Sequence, residues 1–97
     1  MMQDFHKNAI MLEKVTVNNE SAYTYILLKT DSCAIASFKI PLYSIRIEMM
    51  DSSEKVSYYE LRGAFASEGQ ARKFFTKAVN SLVTPIDLPY VFEDELS

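Results

Sequence analysis

The chain holds only two glycines, one cysteine, one histidine and no tryptophan in 97 residues, and each scarcity closes off a chemistry. Phosphate-cradling loops need closely spaced glycines. Gly63 and Gly69 instead bracket the join between a predicted strand and a predicted helix. A lone Cys33 cannot form an intramolecular disulfide. With Cys33 and His6 alone, the usual zinc-ligand spacings cannot be written. Cys33 reads as a small buried strand residue, as free cysteine commonly is, and His6 as a solvated residue. The acidic residues are scattered over turns and the tail, which suggests neither a carboxylate pair nor an oxygen cage for a metal. Ser52-Ser53-Glu54-Lys55 matches the Ser-x-x-Lys string of penicillin-binding enzymes, but neither Ser-Asp-Asn nor Lys-Thr-Gly accompanies it. It reads as a hairpin turn. No catalytic residue, metal site or cofactor loop emerges, and the expectation is a protein that is not an enzyme.

Long apolar runs are also missing. Tyr25-Ile26-Leu27-Leu28 is typical of the longest, far short of the ~20 residues a membrane span needs. The opening Met1–Lys7 is mixed and polar, so the expectation is a cytoplasmic chain without membrane attachment. Basic charge is in deficit: Lys and Arg number 10 against 13 Asp and Glu, the net charge is −3 and the pI about 5.0. Surfaces that neutralise a phosphate backbone are normally strongly basic, so nucleic acid is a disfavoured partner.

What is present suits one folded domain spanning 1–97, with 48% hydrophobic and 24% charged residues. Met11, Val15 and Val17 share one parity in a first predicted strand. Asn18–Ser21 turns into a second strand, Ala22 to Lys29, rich in aromatic and β-branched residues. Cys33 to Ile40 reads as a third strand, with Pro41 marking a strand end, sheet edge or bulge. Tyr43, Ile45, Ile47 and Met49 alternate with Ser44, Arg46 and Glu48 in a fourth. In the fifth, Lys55 to Phe65, the parity of Val56 and Tyr58 differs from that of Tyr59, Leu61 and Phe65, which suggests a β-bulge near Tyr58-Tyr59.

The spacing then predicts an amphipathic helix over about 67–83. Ser67 is its N-cap with Gln70 three residues on, Ala71, Phe74, Phe75, Ala78, Leu82 and Val83 form the stripe, and Pro85 is the stop. Residues 86–97 follow as an extended, acidic tail, too hydrophobic to hang free, which docks on the domain or on a partner. The fold class is α+β: an antiparallel sheet of about five strands, as a meander or roll, packed by one C-terminal helix.

Two local resemblances accompany this reading. Arg62-Gly63-Ala64-Phe65-Ala66, followed by Ala71-Arg72-Lys73 on a helix, resembles the third strand and second helix of an RNA-recognition motif, which implies base stacking on that strand. The helix that family places between its first two strands has no counterpart here. Several antiparallel strands closed by one amphipathic helix also resemble the order of a pleckstrin-homology roll. The helix lacks that family's usual tryptophan, and Asn18-Asn19-Glu20-Ser21 lacks the basic residues its lipid-binding loop uses.

Function is therefore sought in partners. Twelve Tyr and Phe exceed what one small core readily buries, and Tyr favours interfaces. Tyr58, Tyr59, Leu88, Tyr90 and Phe92, with Glu93, Asp94 and Glu95 facing basic groups, are the candidate partner-binding residues. The expectation is a non-enzymatic protein-binding module that occupies a surface of another protein. In size and composition it is akin to small acidic inhibitors and immunity factors of phages and bacteria. The alternative is a structural subunit that forms a homo-oligomer or a larger assembly. A nucleic-acid module using Arg62, Arg72, Lys73 and Lys77 ranks third.

Overall fold

The computed structural model describes residues 9–31 and 41–96. His6, Cys33 and the expected strand Cys33–Ile40 lie outside the described residues. Four strands, β1 (Ile10–Asn19), β2 (Ser21–Asp31), β3 (Pro41–Met50) and β4 (Val56–Phe65), precede two helices, α1 (Glu68–Asn80) and α2 (Leu88–Leu96). The strands form one antiparallel sheet in the order β1-β2-β3-β4, an α+β meander with β1 and β4 at its edges. Among the described residues there are thus four strands rather than about five. The helices cover one face, and no helix among the described residues is long and apolar enough to cross a membrane.

The register explains the core. Val15 pairs with Tyr25, Tyr25 with Ile47, Ile47 with Tyr59, and Leu27 with Ile45 and Ile45 with Leu61. Side chains of one parity therefore point together beneath the helices. Tyr25, Leu27, Ile45 and Ile47 are fully buried there against Ala71, Phe74, Phe75, Ala78, Val83 and Leu88. The central strand β2 is apolar on both faces: Ile26 and Leu28, of the opposite parity, are buried as well. That double burial is why Tyr25–Leu28 is a continuous apolar run.

Pro41 is the first residue of β3, opposite Asp31, a strand-end position where proline is tolerated. The bulge expected near Tyr58-Tyr59 lies further on. Tyr43 pairs with Phe65 and Ile45 with Leu61, so residues 62–64 hold two more positions than β3 does. An insertion of two keeps parity, so Tyr59, Leu61 and Phe65 still face the helices and Val56 and Tyr58 simply face away. Gly63 supplies the left-handed φ of +59 that the bulge needs. Its N–H donates to the buried Ser44 hydroxyl at 2.7 Å.

Ser67 caps α1 as its sequence pattern predicts, its hydroxyl accepting from the Gln70 N–H at 3.3 Å. The helix stops at Asn80, three residues short of the expected end. Leu82 adopts φ +53, the Val83 N–H reaches the Ala78 carbonyl at 3.0 Å, and the Leu82 N–H reaches the Val79 carbonyl at 3.2 Å. These are the two bonds of a Schellman stop, made here without glycine. Val83 then belongs to the core from beyond the helix, not from its stripe.

The tail is not extended. Thr84–Asp87 forms a tight turn with Pro85 at its second position, and the Asp87 carbonyl accepts from Val91 N–H at 3.0 Å to start α2. Pro89 falls in the first helical turn, where its missing N–H costs nothing. Leu88, Val91 and Phe92 then share one side, and that side docks on the molecule's own sheet and α1.

Candidate functional site

Between α1, α2 and the end of β4 lies a cleft of about 650 Å³, within the range of small-ligand and side-chain pockets. Its floor is aromatic. Phe65, Phe74 and Phe92 meet pairwise with ring centroids 5.4, 5.4 and 5.9 Å apart, two of the three contacts edge-to-face. Such contacts fix ring orientation as well as burying area. Helical spacing sets the walls: Gln70, Lys73, Phe74 and Lys77 are at i, i+3, i+4 and i+7 of α1, and Phe92, Glu95 and Leu96 at i, i+3 and i+4 of α2. Lys77 Nζ donates to Glu95, joining the two helices across the rim. Lys73 makes no ion pair among the described residues and stands exposed beside it. Leu96, 71% exposed, closes the mouth with an apolar side chain in water.

The predicted partner-binding residues separate into two places. Phe92 and Glu95 line the cleft, and Tyr90 projects from α2 into solvent. Leu88 is fully buried and fastens α2 to the core. Glu93 and Asp94 are exposed on the same helix. Tyr58 and Tyr59 are elsewhere, on the opening half of β4, pointing to opposite faces of the sheet. Of the rest of the cleft, Lys73 and Lys77 were named only for the nucleic-acid reading and Phe65 only in the strand that resembles an RNA-recognition motif, while Gln70, Phe74 and Leu96 were not read as site residues. The signal available on α1 was a second helical spacing, 70/73/74/77, which shares Phe74 with the core stripe.

On the face away from the helices, Arg46 is the hub of a polar block. Its guanidinium donates to Glu48 at 2.8 Å and to Glu60 at 3.3 Å, and lies 3.9 Å from the centre of the Tyr58 ring. Partial burial works against the charge, but the hydrogen bonds and charges of Glu48 and Glu60 outweigh it, and the Arg46 pKa is held above its ordinary value. Among the described residues, Tyr25 is the one deeply buried titratable group with a strong shift. Burial, with a smaller contribution from neighbouring Tyr23, pushes its pKa up to about 12. Its hydroxyl donates to the Val83 carbonyl at 3.1 Å, tying the middle of the sheet to the chain just past α1. Neither group borders the cleft, and both are structural.

The architecture is a small α+β protein with an open four-stranded meander, a two-helix cover on one face and an aromatic-floored cleft between the helices. The chain belongs to a family of unknown function, DUF6514, whose model matches residues 6–97. No curated protein and no solved structure matches it.

Proposed function

We propose that the chain is a non-enzymatic protein-binding module, an inhibitor or adaptor, whose cleft receives a segment of another protein. The observation that carries this reading is the cleft itself: three phenylalanine edges below, two lysines and a glutamine on one wall, an exposed leucine at the mouth. An apolar floor with a few polar groups around it is the usual composition of a recognition pocket. The fit is to a segment with an apolar side chain beside a carboxylate. The apolar group covers Phe65, Phe74 and Leu96, while the carboxylate meets Lys73 and competes with Glu95 for Lys77. Surface charge pairs of this kind set orientation and encounter rate more than affinity.

Two variants test it without touching the core. Lys73→Glu reverses the charge at an exposed rim position, and Ala66→Trp puts a bulky ring into the cleft at Ala66, an exposed residue of its lining. Affinity capture from source-cell lysate with the full chain is expected to recover a stoichiometric protein with the wild type and to lose it with both variants. Equal recovery by all three chains removes the cleft from the function.

A further inference from the structure

The negative balance of the chain is not spread evenly. Ten bases and nine acids precede residue 78, whereas four acids and no base follow it. The net charge of −3 therefore arises on α2 and the turn that leads into it. Exposed apolar area is concentrated there too. Ile86, Leu96 and Tyr90, at 72, 71 and 66%, are the most exposed large hydrophobic residues among those described. Leu96 and Glu95 belong to the cleft side, where Glu95 meets Lys77. Ile86 and Tyr90 do not line it. Helical spacing instead sets Tyr90 between Asp87, three residues before it, and Asp94, four after it, on the side turned away from Leu88 and Phe92. Asp87 and Asp94 are exposed, and among the described residues neither carboxylate meets a cation.

We propose that this outer face of α2 docks a basic segment of another protein, with an arginine over the Tyr90 ring paired to Asp87 or Asp94 and an apolar side chain covering Ile86. The molecule shows the same set of groups filled from within. Arg46 lies 3.9 Å from the centre of the Tyr58 ring and donates to two carboxylates, Glu48 and Glu60. On α2 a ring and two carboxylates recur without the cation. Charge selects the occupant. An all-acidic stretch repels nucleic acid and anionic lipid, and a second copy offers no matching excess, since residues 1–77 carry ten bases against nine acids. A polyamine satisfies the carboxylates but leaves Ile86 in water. An arginine-bearing segment with a neighbouring apolar side chain answers both, and the contact of its guanidinium with the ring adds to the ion pair. The surface is on the other side of α2 from the cleft and calls for the opposite charge, so it stands independently of what the cleft binds.

Titration of the full chain at low salt with the peptide Ac-Leu-Arg-Arg-Leu-Arg-NH2, followed by NMR, tests this. Saturable shifts are expected at the Tyr90 ring and at the amides of Asp87 and Asp94, weakening as salt is added. The mirror peptide Ac-Leu-Glu-Glu-Leu-Glu-NH2 is expected to leave those signals in place. Asp87→Asn with Asp94→Asn weakens binding roughly twofold to tenfold. Tyr90→Ala weakens it by about the same factor and Tyr90→Phe retains it, because the ring and not the hydroxyl faces the cation. Glu54→Gln, which removes an exposed acid far along the chain, leaves it unchanged. If the double variant loses its circular dichroism, Asp94→Asn and Tyr90→Ala are read alone. The proposal is overturned if the basic peptide shifts no residue of α2, if the folded aspartate and Tyr90→Ala variants bind as wild type does, or if spermine binds as tightly as the peptide. It is equally overturned if the chain alone doubles its 11.1 kDa mass and Asp94→Lys abolishes the doubling, which gives the face to a second copy.

Discussion

The two helices cover the same face of the sheet and are held to it in different ways. α1 has thirteen residues, a side-chain cap at its start, a two-bond stop at its end and four buried residues, Ala71, Phe74, Phe75 and Ala78. α2 has nine residues and one fully buried residue, Leu88, with Val91 and Phe92 half-buried. Short helices are marginal in water and depend on packing. The difference teaches that α1 is part of the cooperative core, while α2 is a cover whose attachment can loosen without dismantling the sheet. The cleft, formed between them, has one fixed wall and one adjustable wall.

The sharpest way to break this comparison is to empty each anchor in turn. Phe75→Ala is expected to cost about 3–5 kcal/mol and to lower the midpoint of a single cooperative unfolding transition seen by every probe. Leu88→Ala is expected to cost about 2–3 kcal/mol. Its signature differs: in amide NMR spectra α2 and the Phe65/Phe74 region shift, while β2 and β3 keep their positions. If Leu88→Ala shifts the strands as much as Phe75→Ala does, α2 is core after all.

A smaller effect is expected at the join between sheet and α1. Tyr25→Phe leaves the Val83 carbonyl unpaired in the core and is expected to cost about 1–3 kcal/mol in a denaturant titration. The same group gives a pH dependence. Its folded pKa, about 12, lies above the unfolded value of 10. The neutral hydroxyl therefore contributes stability that is complete below pH 10 and is lost as pH rises toward 12. Wild type should lose midpoint over that interval and Tyr25→Phe should lose less. Smallest of all, Glu95→Gln removes the rim ion pair between two half-exposed groups and is expected to cost about 0.2–1 kcal/mol, less at high salt. A cost that salt does not reduce would mean the pair is more than a surface contact.

The contrast between the helices is also a contrast in what the sequence discloses. α1 was readable because a stripe, a capping serine and a downstream proline agree. α2 was not, because Leu88, Tyr90 and Phe92 alternate as a strand does over so short a stretch, and Pro89 reads as a strand breaker. The helical relation of Leu88, Val91 and Phe92 competes with that alternation, and nine residues do not separate the two periods. The bulge was misplaced for a related reason. Tyr58 and Tyr59 are both exposed, so neither parity marks an inward face, and the break in pattern pointed to the wrong residues. Phe92 and Glu95 were found as candidates from the tail alone. The rest of the cleft is assembled from β4 and a second stripe of α1, a juxtaposition that only the tertiary fold makes.

Gly63 has a kinetic consequence. Its N–H leaves the strand ladder and is held by a buried hydroxyl, with Leu42 packed close to where a β-carbon would stand. Hydrogen exchange at such a site requires Ser44 to be uncovered, which amounts to opening the sheet. The outward amides of Val56–Tyr59 should trade with solvent at nearly free-peptide rates in a lone chain. A few residues further along the same strand, the amide of the residue that breaks its regularity should keep time with global unfolding.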